Sequence, residues 1–366
     1  MSKKLIAVLS LALLWGGGIT GGGVSAQAVQ RGWIFSSLPA TDLWFHGMAV
    51  VDPFGPGPLP LYDTGYPNRV RRAKEAAGVF PTALDDRAGY FQGAFRRDPA
   101  FEILHFLPLY FAGAGRTEVF TALELIAMQP TGIPRAPSQR TALGMAAVGS
   151  VLTTQAQRTI LGEFIAVLRA EWDGFFQSYW QEAGGATGEL ETTLQALWGD
   201  RYQPALGPLL AGLKMNGGTV TLSPALWTEG RVFAGVPQDP MDNVLVVARP
   251  TDVGNAKEAV YSMLRELSFP LVRQAMEKLG EARGATDQGE SLVAQAAVYS
   301  GALILEMYLP EEISAYKEFF LSRTGGASPS AKAADEAFRS AFAPTEALET
   351  ALREEIITTV TTGGEG

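Results

Sequence analysis

Residues 258–272 read Glu-Ala-Val-Tyr-Ser-Met-Leu-Arg-Glu-Leu-Ser-Phe-Pro-Leu-Val, a helical stretch with Arg265-Glu266-Leu267-Ser268-Phe269 at its centre. Three short runs rich in β-branched residues precede it, at 219–223, 231–236 and 243–248. Runs of this length, bounded by glycine and proline, predict strands. The sequence therefore predicts a small sheet followed by a long helix.

Helical periodicity dominates the rest of the chain. Proline and glycine between Trp33 and Tyr66 argue against regular helix there, and the apolar run 101–112 fits either a helix or a strand. The predicted fold class is α+β, mostly α. Two helices are predicted by their start alone, near residues 68 and 189. The other predicted helical stretches are 82–95, 138–180 (one helix or two), 255–280, 287–308, 310–323, 331–342 and 344–360.

The first residues have the pattern of an export signal. Lys3 and Lys4 precede an apolar run, and small residues around Ala26 fit a cleavage site. We expect a signal peptide over 1–26 and a bacterial periplasmic or secreted protein, with no membrane span after cleavage. The remainder is expected to divide into a mainly helical region, 27–185, and a region with the sheet and the C-terminal helices, 186–366.

Composition excludes several kinds of chemistry. The chain has no cysteine and two histidines, so a thiol nucleophile, a cysteine-ligated metal and a three-histidine metal site within one chain are all ruled out. With 29 Lys+Arg against 38 Asp+Glu, the formal net charge is −9, which argues against nucleic acid as a partner. His46 and His105 are expected to be satisfied buried side chains, although pairing with an acid remains open.

The stretch 265–269 resembles the active-site helix of gluzincin-type zinc metallopeptidases. That helix carries His-Glu-x-x-His, in which two imidazoles four residues apart bind zinc and the glutamate acts as general base. An edge strand and a turn precede it, as predicted here, and the likeness covers 217–323. It implies that Glu266 occupies the general-base position and that Arg265 and Phe269 occupy ligand positions. Glu306, expected to be buried in the next helix, would match the third ligand.

Two of these positions carry residues that cannot bind zinc. Arg265 has no free lone pair to bind zinc, and Phe269 has no donor atom. We therefore expect no zinc or other cofactor, and a vestigial role for Glu266. Arg265 could balance Glu266 or Glu306 as an ion pair, or it could point to solvent.

These inferences favour a non-catalytic, exported, metallopeptidase-like protein. It would bind a peptide or protein partner in the former substrate groove, beside the strands at 219–236. Two alternatives stay open: a hydrolase that uses residues outside the zincin pattern, and a structural envelope protein.

Overall fold

The computed structural model describes most of the chain. The described residues are 32–52, 55, 59–128, 138–184, 187–235, 243–280, 287–324 and 331–363. The predicted signal peptide, 1–26, lies outside the described residues.

A mixed four-stranded sheet lies at the centre of the described chain. Its strands are β1 (Trp33–Ser36), β2 (Gly218–Ser223), β3 (Arg231–Phe233) and β4 (Asn243–Ala248), in the order β1-β2-β4-β3. β1, β2 and β4 are parallel, and β3 pairs with β4 in the antiparallel direction. The carboxyl ends of the three parallel strands therefore meet at one edge of the sheet.

Helices surround this sheet. In chain order they are α1 (Pro39–Val51), α2 (Tyr66–Ala76), α3 (Ala83–Arg97), α4 (Leu107–Tyr110), α5 (Arg116–Met128), α6 (Gln139–Val151), α7 (Gln155–Glu171), α8 (Gln177–Gly184), α9 (Thr187–Leu197), α10 (Gln203–Gly212), α11 (Lys257–Lys278), α12 (Asp287–Tyr308), α13 (Ile313–Arg323), α14 (Ala331–Phe342) and α15 (Glu346–Gly363). Short 3₁₀ segments lie at Pro99–His105, Val253–Asn255 and Pro310–Glu312, and π-helical turns lie at Trp172–Phe176 and Trp198–Tyr202.

The sheet separates two hydrophobic cores because side chains alternate along each strand. On β4, Val244 and Val246 pack into a first core built mainly from the helices between residues 39 and 184. Leu245 and Val247 pack into a second core with the helices from α9 onward. Helices thus cover both faces of the sheet, which explains the nearly continuous apolar sequence of β4.

Most of the predicted elements are confirmed. The strands predicted at 219–223 and 243–248 are Gly218–Ser223 and Asn243–Ala248, and the helices predicted from 255 onward begin at Lys257. The predicted strand 231–236 is shorter, since the described strand ends at Phe233. The prediction against regular helix before Tyr66 was wrong for α1, which begins at Pro39, a position where proline costs no hydrogen bond. β1 was also missed, and through it the first predicted region contributes a strand to the sheet of the second.

One segment of the described chain is long and apolar enough, by length and composition alone, to cross a membrane. It is Ser291–Tyr308 in α12, with a mean hydropathy of 1.2. Because 61% of this segment is buried inside the fold, it also has the character of a core helix.

Candidate functional site

Four charged side chains meet where β3 approaches α11. Glu229 lies two residues before β3, Arg231 is the first residue of β3, and Arg265 and Glu266 both lie on the third turn of α11. Arg265 Nη1 donates to Glu266 Oε1, and Arg265 Nη2 lies 3.0 Å from Glu229 Oε1. Arg231 Nη1 lies 3.0 Å from Glu229 Oε2. The two arginines and two glutamates form one network, which we call the Arg265 network.

The Arg265 network is almost fully enclosed. Arg265 and Glu266 are 0% and 2% exposed, so their charges must be balanced by neighbouring protein groups and not by solvent. Burial opposes the charge of Arg265, but Glu266 and Glu229 outweigh it and raise the pKa of the guanidinium. Burial raises the pKa of Glu266, while Arg265 and Arg231 act against that increase.

Aromatic rings flank both guanidinium groups. Arg265 Cζ lies 4.9 Å from the centre of the Phe269 ring, and Arg231 Cζ lies 5.0 Å from that of Phe106. In a zinc peptidase, the four-residue spacing of these positions would place two histidines on one metal ion. In this chain the same spacing places the aromatic ring of Phe269 beside the cation of Arg265. Position 269 therefore supports the charge of Arg265.

Gly230 lies at the closest approach between β3 and α11. Its N–H donates to Glu266 Oε1 over 2.9 Å. A Cβ at this position would lie 2.5 Å from the carbonyl oxygen of Val246 and 2.9 Å from Glu266 Cγ. Only glycine fits, and its N–H uses the oxygen of Glu266 that already accepts from Arg265.

Glu306 does not belong to this site, so the prediction of a buried third position was wrong. Its side chain is 53% exposed and forms a 3.0 Å ion pair with Arg353. Burial along α12 ends at Leu305, where the last turn leaves the core. The apolar run 302–309 suggested burial throughout, but Glu306 and Met307 are exposed, whereas Leu309 after the helix is buried again.

The two histidines belong to separate buried pairs. His46 Nε2 lies 3.0 Å from Glu171 Oε1, so the open possibility of an acid partner is realised. Burial lowers the pKa of His46. Tyr62 Oη lies 2.7 Å from His105 Nδ1, and burial together with Arg231 lowers the pKa of His105 to about 3. Both histidines are buried, as predicted, and His105 is neutral at physiological pH.

Sequence reasoning missed a second buried network, around Glu171. Lys74 Nζ lies 2.7 Å from both Glu171 Oε1 and Asp85 Oδ2, and it donates to Thr82 Oγ1 over 2.9 Å. Thr82 and Asp85 also form the capping box of α3. The capping pattern, in which Thr82 precedes Asp85 by three residues, is the part of this network that the sequence shows.

The two edges of the sheet differ in how they are covered. At β1, the Gln195 side chain donates through Nε2 to Trp33 O over 2.9 Å and accepts from Phe35 N–H over 3.3 Å. Gln195 therefore occupies the hydrogen-bonding positions that a further strand would use. An open groove of about 460 Å³ lies beside it, lined by Phe35, Glu191, Thr192, Gln195 and Ala196.

At the opposite edge, β3 pairs with β4 alone within the described chain. Val232 is half-buried and Ala234 is exposed. Of the predicted binding segment 219–236, only this part lies at an edge, because β2 is flanked by β1 and β4.

The arrangement at the Arg265 network limits its chemistry. Glu266 Oε1 accepts from both Arg265 and Gly230 N–H, and a carboxylate held in this way is not poised to activate water. Within the described ranges, no group of three or more His, Asp or Glu side chains is placed to hold a metal ion. The geometry is that of an internal ion-pair network.

Comparison of the chain with protein-family models, curated proteins and solved structures finds no match.

Proposed function

We propose that this chain is a gluzincin-like protein whose catalytic position is closed by its own charges, and that it acts as an exported, non-catalytic binding protein. The observation that carries this proposal is the position of Arg265, between Glu229 and Glu266. In the resemblance, this is where the first zinc ligand would stand beside the general base. A guanidinium there replaces the positive charge of the metal.

The proposed partner is an extended segment of another protein, added along the free side of β3. Main-chain hydrogen bonds supply the affinity in this mode of binding, and side-chain pockets supply the choice of sequence. Of the two sheet edges, β1 is occupied by the Gln195 amide, whereas β3 has no strand on its outer side in the described chain. β3 is therefore the edge proposed for strand addition, because no strand lies on its outer side in the described chain.

The absence of cysteine allows a clean binding test. Peptides selected from a random library would be titrated against Ala234→Cys, labelled with an environment-sensitive fluorophore next to β3. Ile34→Cys, exposed on β1, is the matched control. We expect saturable fluorescence changes at position 234 and none at position 34; the reverse would contradict docking along β3.

Backbone methylation of the peptide separates strand addition from other contacts without altering the protein. Alternate N–H groups of an added strand face β3, so N-methylation at every second residue should weaken binding at least tenfold in one register and little in the other. Equal effects in both registers would contradict strand addition. Mass spectrometry of the incubated peptides should show intact chains, and turnover would establish the hydrolase alternative.

A further inference from the structure

Several buried oxygen atoms without partners belong to residues near the carboxyl ends of β1 and β2 and on the first turn of α1, which follows β1. Asp42 on the first turn of α1 is 1% exposed, and its Oδ1 makes no hydrogen bond to any described residue. Ser223 and Thr221 are both 0% exposed, and their hydroxyl oxygens make no hydrogen bond to any described residue. The buried hydroxyl oxygen of Ser36 also makes no hydrogen bond to a described residue. Buried polar atoms are normally satisfied, so such a concentration needs an explanation.

The strand register places three of these side chains on one face of the sheet. Trp33 and Phe35 pack into the second core, so Ser36 faces the first core, as alternation requires. Ser36 is the register partner of Thr221, and Ser223 follows two residues later on the same face. α1, which carries Asp42, packs against this face of β2.

Asp42 is held in place from one side only. Trp180 Nε1 donates to its Oδ2 over 2.8 Å. Burial raises the pKa of Asp42 to about 6, and the neighbouring Trp180 and Ser223 side chains act against that increase. Neither Asp42 Oδ1 nor Ser223 Oγ makes a hydrogen bond of acceptable geometry to a described residue. A third participant between these two oxygens would satisfy both.

The local charges define what that participant should be. Of the neighbouring charges, Arg249 acts to lower the pKa of Asp42 and Glu191 acts to raise it. Carboxylate and hydroxyl oxygens are ligands for hard cations, but calcium takes six to eight oxygens and usually several carboxylates. A single carboxylate with hydroxyls suits a monovalent ion.

We propose that Asp42, Ser223, Thr221 and Ser36 form a binding site for one sodium ion. The carboxyl ends of parallel strands are where α/β sheets bind ligands. The helix that follows β1 packs in the first core, and the helix that follows β4 packs in the second core. The connections after these two strands therefore lie on opposite faces of the sheet, and the proposed site lies at the same end of the sheet. The ion would link α1 to β2 and offset the cost of burying Asp42.

The test is the ion dependence of thermal unfolding at constant ionic strength. In 150 mM NaCl the unfolding temperature should be about 2 °C or more above that in choline chloride, because an ion that binds only the folded state stabilises it. Asp42→Asn and Ser223→Ala should each remove most of this difference. Asp52→Asn, at the other end of α1, should lower stability but keep the sodium response, since Asp52 pairs with Arg96 instead.

Two results of the unfolding test would overturn the site. One is equal unfolding temperatures in sodium and choline chloride for the unaltered protein. The other is a sodium response that persists in Ser223→Ala, which removes one oxygen without leaving a buried charge. A crystal soaked in thallium(I), a heavy monovalent substitute, should show an anomalous peak within about 3 Å of Asp42 Oδ1. Ordered water alone at that position would also reject the proposal.

Discussion

Lys74 Nζ lies 2.7 Å from Glu171 Oε1, and both side chains are fully buried. Glu171 also accepts from Thr82 Oγ1 over 2.6 Å through its second oxygen. Burial opposes the charge of Glu171, but His46 and Lys74 outweigh it and lower the pKa of Glu171 to about 2. The pair joins α2 to the C-terminal end of α7, so it holds together helices distant in sequence.

Replacing Glu171 with glutamine should lower the free energy of unfolding by about 3–5 kcal/mol at pH 7, because Lys74 would lose a buried counter-charge. Urea unfolding measures this. Glu163→Gln is the matched control, since its ion pair with Arg87 is about one-third exposed and should contribute less than about 1 kcal/mol. Similar losses in the two variants would argue against a structural role for the buried pair.

Acidification should destabilise the protein through the same residues. The pKa of Glu171 is about 2 in the folded protein against an ordinary value of 4.5, so the unfolded chain takes up the proton first. Its contribution is complete above pH 4.5 and is lost as the pH falls toward 2. His46 acts in the same direction below pH 6.5, because burial lowers its pKa.

Urea titrations between pH 7 and pH 3 check this dependence. Glu171→Gln should lose stability less steeply below pH 4.5 than the unaltered protein, because it lacks the group that titrates there. Parallel curves for the two proteins would mean that Glu171 does not carry the effect.

Removing the amide that covers β1 should promote self-association. In Gln195→Ala, Phe35 N–H and Trp33 C=O lose their partner on the outer side of the strand, and an open edge can pair with another chain. We expect dimers or larger species in sedimentation velocity at concentrations where the unaltered protein is monodisperse. Thr192→Ala, in the same groove, should leave the distribution unchanged; identical behaviour of both variants would show that Gln195 does not protect the edge.

Restoring the histidines tests the resemblance to zinc peptidases. Arg265→His with Phe269→His places two imidazoles one helical turn apart and should create zinc affinity measurable by calorimetry. Adding Glu229→Ala should weaken it about tenfold, since Glu229 already reaches the side chain at 265. Adding Glu306→Gln should change nothing, because Glu306 faces solvent beside Arg353.

The unaltered protein should retain less than one zinc per chain when purified without chelator. One bound zinc per chain, or a dependence of the double-histidine variant on Glu306, would contradict the geometry of the site.

The sequence could predict one part of the site well. An arginine beside a glutamate on an apolar helix, in a register without metal ligands, suggested an ion pair, and Arg265 and Glu266 form one. Glu229 could not be found in this way, because it lies 36 residues away and only the approach of β3 to α11 brings it close. The prediction that Glu306 is buried was wrong because a hydrophobic sequence does not show where a helix leaves the core.

The same contrast holds for the fold. The β-branched runs at β2 and β4 and the long C-terminal helices carry strong local patterns, and they were predicted. β1 has only four residues, and its strand character depends on pairing with β2, whose partner residues lie 185 positions later along the chain. Local propensity cannot reveal an element that tertiary pairing defines.

The coupling energy between Arg265 and Glu266 tests the central claim most directly. A double-mutant cycle with Arg265→Met and Glu266→Gln, measured by urea unfolding, should give at least about 1.5 kcal/mol. The cycle of Arg353→Met and Glu306→Gln, an exposed pair, should give less than about 0.5 kcal/mol. A coupling at Arg265–Glu266 no larger than at the exposed pair would contradict the claim that Arg265 closes the site.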